Sequence, residues 1–513
     1  MQDDAFSAVS KTRFTTAQGI GRYFRAGSHR YFLVIFLALA LFTPAAGLTA
    51  ESASIGEPAV KPVLSWDRET GKSYLIPTLE IPTFILLLNG LDRIIYSDEI
   101  ERGDKEYESN LSTTWDHLVH GRWGIDDDNF YMNQFLHPYQ GLVFHGIARS
   151  NGLNFWESSA YAVAGSFLWE LAGETMPPSV NDLIASGIGG SFFGEPLFRM
   201  ASLLLENSEG KPGFWRELGA TLLSPPVGFN RLVFGERYQP LFPSRDPATF
   251  LRLRLGMNLN TNGNDNRRFG SVDSRHATVD GIMDYGLPGK PGYRYTRPFD
   301  YFHASFSAIN REEYPVENVM IHGLLWGKVY EAGDAYCGVW GLYGGYDYLA
   351  PASDSFRVSS TSASLGTTFQ WWLSRDVALQ GTILGGIGYA AAGAIAGSGE
   401  RDYHYGITPQ SLLTLRLIIG DKAMLDLTGH EFYVSSKGAT ESGTENIVRL
   451  NAGLTVRLFG RHALGVRYIV SNRDMNYSNL TEKHQTMGTY SLFYTFLSDT
   501  KFGSVEWRDK NTK

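Results

Sequence analysis

Cysteine is nearly absent. One residue, Cys337, among 513 excludes an internal disulfide framework and any cysteine-built zinc cluster. Its setting in the strand-like run YCGVWGLYGGY reads as a small apolar packing residue rather than a reactive thiol. Charge is scarce too: 19% of residues are charged and the formal balance is -8. Five basic and two acidic groups in the first fifty residues give +3, so the remainder carries -11, which disfavours nucleic acid as a partner. Long apolar runs are also missing. The most apolar stretch, Tyr31 to Phe42, is about a dozen residues, too short to cross a bilayer as a helix.

What is present points to β-structure beside a membrane. Gly 56, Tyr 27, Phe 31 and Trp 11 supply turn formers and interfacial aromatics in quantity. Arg22, Arg25 and Arg30 precede the apolar run YFLVIFLALALF, and the small residues of TPAAGLTAES follow it. That order is the pattern of a secretory signal peptide over residues 1–50, cleaved near Gly47 or Ala50. The expectation is export to the bacterial outer membrane.

Beyond the signal, the pattern changes near Pro247. Residues 51–120 read as a linker with short helices, 121–245 as a helical domain, 246–498 as strands and 499–513 as a polar tail. Pro77, Glu80 and Pro82 interrupt YLIPTLEIPTFILLLNGLDRII and predict a short helix from about Thr83. Asn154 with Glu157 forms a capping-box pattern, Pro177-Pro178 ends that helix, and Ser179 is placed to cap the next. Ala162 and Ser166 in the first helix, with Ser186, Gly190 and Gly194 in the second, predict an antiparallel pair with a tight small-residue seam.

The strand region alternates. In TFLRLRLGMNLN, Leu251, Leu253, Leu255, Met257 and Leu259 interleave with Arg252, Arg254, Gly256 and Asn258, a period of two with one apolar and one polar face. About twelve such runs occur between Ala248 and Ser498, each long enough for a tilted transmembrane strand. The fold expected is mainly β: an outer-membrane antiparallel barrel of about 12 strands, preceded by a small helical domain that plugs the lumen or packs beneath it in the periplasm.

The helical domain carries an ordered set of motifs: Asn133, His137-Pro138-Tyr139, Ala148-Arg149-Ser150-Asn151-Gly152, Trp169-Glu170, Pro178-Ser179-Val180-Asn181-Asp182 and Gly194-Glu195. In these residues the segment resembles the bacterial domain of unknown function 3943. The resemblance implies an exported, outer-membrane bacterial protein and brings no activity with it.

Chemistry therefore rests on the residues. His137, His145, Glu157, Glu170, Glu174, Asp182 and Glu195 could supply ligands or an acid–base pair. Against this, polar groups in a compact helical unit bond one another, with Arg149 neutralising a carboxylate. In that structural reading His137-Pro138-Tyr139 fixes a turn, Gly152 permits a reversal, and Trp156 and Trp169 pack the helical pair. Asp126, Asp127 and Asp128 lack the spacing of a calcium loop, and His430-Glu431 lacks the second histidine of a metalloprotease helix. Outer-membrane phospholipase A carries His-x-Ser-Asn-Gly, whereas here the histidine nearest Ser150, His145, stands five residues upstream rather than two.

Arg252, Arg254, Arg416, Arg449, Arg457 and Arg467 share the polar strand face; they would favour an anionic solute in an open lumen, or else pair with carboxylates such as Asp426. The function expected is passage, binding or anchoring at the outer membrane. The alternative is a lipid-modifying or lipid-hydrolysing enzyme using the His/Glu/Asp cluster. Outer-membrane lipids and the barrel-assembly machinery are the expected partners, with no cofactor and no metal.

Overall fold

The computed structural model describes residues 72–95, 107–126, 128–206, 212–234, 242–262, 272–351, 356–393, 401–436, 442–478 and 481–506. The expected signal peptide, the first part of the linker, Asp127 and residues 507–513 lie outside the described residues.

Twelve strands form a closed antiparallel barrel: β1 Thr249–Asn262, β2 Val272–Tyr285, β3 Phe302–Ile309, β4 Val316–Ala332, β5 Tyr336–Leu349, β6 Arg357–Trp372, β7 Val377–Gly393, β8 Tyr403–Ile419, β9 Ala423–Val434, β10 Gly443–Phe459, β11 His462–Tyr477 and β12 Lys483–Leu497. Each pairs with its chain neighbours, and β1 with β12 closes the ring, so no edge is left open. Residues directly opposite across an antiparallel ladder share a face. The row Arg252, Ile282, Ser305, Met320, Asp347 faces the lumen, and the row Leu251, Met283, Ala304, Ile321, Tyr346, Thr361, Tyr389 faces outward. Leucine and isoleucine side chains such as Leu255, Leu365, Ile383, Leu454 and Leu492 stand exposed on that outer wall.

Side chains fill the lumen. Asp426 takes Arg252 at 2.5 Å and Arg416 at 3.0 Å; Arg416 continues to Asp284 at 2.8 Å, which also holds His303 at 2.6 Å. Asp280 takes both Arg254 and Arg467 at 2.7 Å. Glu445, Arg473, Tyr477 and His404 form a further buried group. A cavity of about 130 Å³ lies among Arg252, Arg254, Asp280, Asp284 and Asp426.

The tail contributes to this filling, which its polar composition conceals. Phe502 and Val505 are buried with Phe250 and Leu287. Gln380 donates to the Gly503 carbonyl at 2.8 Å, and Gln370 exchanges bonds with Val505 at 2.8 and 3.2 Å. Residues 502–505 thus leave β12 and reach the lumen face of β6 and β7, on the opposite side of the ring. Two apolar residues three apart among charged ones present no periodicity to read.

Among the described residues, seven helices precede the barrel. The first, α1, spans Leu75–Ile95 rather than starting near Thr83, and carries Pro82 inside it. Pro77 lies in the first turn, where no N–H is needed. Pro82 forgoes one bond, while the hydroxyls of Thr78 and Thr83 donate to the carbonyls of Tyr74 and Leu79. A short helix, α2, is Leu111–His120. Met132–Leu136 is π-helical and runs directly into the α-helix His137–Ser150, together α3. His137-Pro138-Tyr139 therefore opens a helical segment rather than a turn. The wider π-helical turn before it leaves room for a proline with no N–H to donate. Gly152 ends α3 with φ +84°, a conformation costly for any side chain.

The next helix, α4, is Phe155–Ala172, capped by Asn154 and Glu157. Ser179 caps α5, which runs as Val180–Asp182, a π-helical Leu183–Gly189 and Gly190–Glu206. Phe214–Leu223 is α6 and Pro225–Phe234 is α7. Gly190 and Gly194 of α5 pack against α3, while Gly187 meets Val163 of α4, so the tightest part of the seam is with α3. A Cβ on Gly141 would lie 1.8 Å from the Ser186 carbonyl oxygen, and one on Gly190 2.7 Å from Gly141. The sequence shows the small residues of α5, but Gly141 has no small residue four positions before or after it in α3.

The helical domain sits neither in the lumen nor beneath it. Its buried core is continuous with outward-facing barrel residues: Met283 and Tyr285 of β2, Phe302 of β3, Val319 and Ile321 of β4, Tyr346 and Tyr348 of β5, and Tyr403 and Tyr405 of β8. Phe193 stacks on Tyr346 at 5.4 Å, Phe155 meets Phe299 at 5.4 Å, and Phe192 occupies the space a side chain at Gly344 would need. The sequence reading placed the domain inside or below because it assigned one face of every strand to lipid. Tyrosines at those positions are covered instead by helices.

Candidate functional site

Two buried polar networks hold most of the singled-out residues. The first lies between α3 and α5. Arg149 donates through Nε and Nη2 to Glu195 at 2.7 and 3.1 Å, and His145 Nε2 lies 3.1 Å from the same carboxylate. One turn on, Arg199 donates to Glu195 at 2.9 Å and to Asp300 at 3.1 Å. Asp300 belongs to the β2–β3 connection and also accepts from Arg297 and from two backbone amides. The rings of Phe198 and Phe242 lie against the Arg149 guanidinium. The side chains of His145 and Glu195 are 0% exposed. Gly194 abuts Leu142 and His145 of α3.

A second network joins α3, α4 and the start of α5 to the barrel. Glu170 accepts from the Ser179 amide at 2.7 Å, and Ser179 bonds Asp182, which also accepts from Asn181 at 3.0 Å. Asn181 and Gln134 donate to the Tyr405 hydroxyl at 2.9 and 2.8 Å, Asn133 donates to the Tyr403 hydroxyl at 2.8 Å, and Tyr346 donates to the Gln134 carbonyl. His137, Trp169 and Glu170 are buried in this domain, and His137 Nδ1, Trp169 Nε1 and Glu170 Oε1 make no hydrogen bond among the described residues.

The remaining candidates lie apart. Glu157 bonds Lys72 at 3.0 Å and Tyr74 at 2.8 Å. Ser150 donates to the Ile147 carbonyl and accepts from Asn230 at 2.6 Å, while Asn151 donates to Ile147 and toward Glu80. His145 faces Glu195 rather than Ser150, so no serine–histidine couple is assembled. Tyr139 and Glu174 are partly buried, and Pro138 is buried within α3. Among the described residues no group of three or more His, Cys, Asp or Glu is arranged to hold a metal. Arg449 bonds Ser471 and lines the lumen cavity, whereas Arg457 bonds Asp421 of the β8–β9 turn.

Sequence reasoning missed Arg199, Asp300, Tyr403, Tyr405, Gln134 and Asn230. Arg199 stands four residues after Glu195, a helical salt-bridge spacing that was there to be read. Asp300 and the tyrosines are distant in sequence and carry no such signal.

The fold and these networks define a class: a closed twelve-stranded barrel with a helical domain fixed to its outer wall. Within the helical domain, residues 122–226 match the family model described as Domain of unknown function (DUF3943). A comparison with curated proteins gave no match. Among solved structures, the outer membrane channel DcaP of Acinetobacter baumannii is 8% identical over 48% of this chain and 96% of its own, with a TM-score of 0.22. The translocator domain of autotransporter NalP from Neisseria meningitidis is 15% identical over 48% and 88%, with a TM-score of 0.21. Likenesses of this size carry no inference about function.

Proposed function

We propose that this chain is a non-conducting outer-membrane barrel whose task is anchorage: it holds the DUF3943 domain against its wall. The filled lumen carries this reading. The arginines once expected to attract an anionic solute are engaged, four of them by Asp280, Asp284 and Asp426, and the tail crosses beneath them. An exterior of exposed leucine and isoleucine side chains suits acyl chains, and strands of 8 to 17 residues mostly meet the length a bilayer requires. Short turns join β4–β5, β6–β7, β8–β9 and β10–β11, the end that faces the periplasm in barrels of this kind. Outer-membrane lipids and the barrel-assembly machinery are its partners on this reading. A serine hydrolase built on Ser150 and His145 finds no support, since His145 faces Glu195; the enzyme alternative then rests on the His137, Glu170 and Asp182 cluster alone.

In planar bilayers the full-length protein is expected to show no steady single-channel conductance, while fractionating with outer membranes and running as a folded species before heating. A reproducible conductance from such folded protein would overturn the anchoring reading in favour of passage.

A further inference from the structure

The helical domain lies beside the barrel over much of the wall's height. Its contacts run from Tyr285, at the last residue of β2, to Tyr403, at the first residue of β8. These two positions lie at opposite ends of the barrel, because β2 ends where the chain leaves toward β3, and β8 begins at the loop after β7. If the barrel spans a bilayer, its companion cannot stay wholly outside it.

The surface of α1 agrees. Pro77, Ile81, Ile85 and Asn89, four residues apart, form its buried stripe. Leu75, Leu79, Leu86, Leu87, Leu91 and Ile94 are 42 to 73% exposed on the remaining faces. The polar Asn89 points inward, donating to the carbonyls of Tyr107 and Gly173, and Arg93 is turned back onto Asn89 and Ser109. A helix in water turns its leucines inward; here they stand outward, with Thr78, Thr83 and the exposed Arg93 beside them. An outward side made mainly of leucine and isoleucine is covered by protein or surrounded by lipid. Among the described residues α1 is also the one helix long and apolar enough to cross a membrane.

The barrel's exposed belt meets the domain at an aromatic pair. Trp156 at the start of α4 stacks on the outward Trp326 of β4 at 5.1 Å, and both rings remain partly exposed. An aromatic pair of this kind bridges the two apolar surfaces rather than separating them.

We infer that the outer face of α1 contacts lipid acyl chains, so that the DUF3943 domain and its leading helix are embedded in the membrane alongside the barrel. This rests on the reading of the barrel as membrane-spanning. It names a lipid-facing surface in a segment that Pro77, Glu80 and Pro82 interrupt.

The test uses the full chain with Cys337→Ser, reconstituted in liposomes, and one spin label at a time. Leu86→Cys and Leu91→Cys probe α1, Leu454→Cys probes the bare wall of β10, and His484→Cys reports water. Collision rates with oxygen and with a neutral nickel chelate are compared. Labels on α1 are expected to match the Leu454 position, with an oxygen preference several-fold above that at His484. Should the Leu454 label favour oxygen while both α1 labels favour nickel, the domain is in water and the inference fails with the barrel reading intact. If the α1 labels resist both reagents, protein covers them, a second copy or another chain, and the inference fails equally. A nickel-accessible Leu454 label would instead remove the membrane-spanning reading itself.

Discussion

At the scale of single residues, Glu195 is a fully buried carboxylate that takes Arg149, Arg199 and His145 together. Its removal takes the carboxylate partner from Arg149 in a closed interior, while Arg199 keeps Asp300; breaking a buried pair in this way typically costs about 3–5 kcal/mol. Glu195→Gln keeps the volume and loses the charge; it is expected to lower the unfolding free energy by roughly that amount, read by denaturant titration of tryptophan fluorescence in detergent. Tyr405 makes a second case. Its hydroxyl accepts from both Asn181 and Gln134, and Tyr405→Phe leaves two buried donors short of a partner, at about 1–3 kcal/mol. Faster hydrogen exchange in α3 and the start of α5, with barrel amides unchanged, is the expected observation. Glu195 and Arg149 could be named from sequence because they fall within recurring motifs. Tyr405 could not, since an outward tyrosine on a strand looks the same whether lipid or a helix lies over it.

At the scale of elements, caps and alternation were readable and helix continuity was not. Asn154 with Glu157 and Ser179 sit where local hydrogen bonding demands them, and a period of two needs no distant partner to be seen. Pro82 misled because tertiary contacts at Ile81 and Ile85 offset its local cost, information no window of sequence contains. The closest partner of the α5 small-residue face was misassigned for a similar reason: the nearest helix in sequence, α4, was preferred to α3. The tail was likewise read by composition alone. Phe502 is 0% exposed, so Phe502→Ala is expected to cost about 3–5 kcal/mol, seen as a lower temperature of conversion from the folded to the unfolded band on semi-native gels. Unchanged heat resistance would mean the tail adds nothing to barrel stability.

For the molecule as a whole, the barrel count was legible and the arrangement of its parts was not. A dozen alternating runs with arginines on one face specify a ring and an interior. They do not say whether that interior is empty, because Arg252 and Asp426 are 174 positions apart and their pairing follows only from closure. Nor do they locate the helical domain, whose attachment depends on side chains from β2 through β8. The covered strands lie together, so the molecule has a clad side and a bare side around its axis.

The tail that follows β12 has a consequence for assembly. Its anchorage on Gln370 and Gln380 lies across the diameter from the strand it leaves, so it acts as a cross-brace between the two halves of the ring. A brace of this form cannot be seated until both halves stand in their final positions. Folding therefore has a defined last step: the first and last strands zip together, and residues 502–505 then lock the cylinder against flattening.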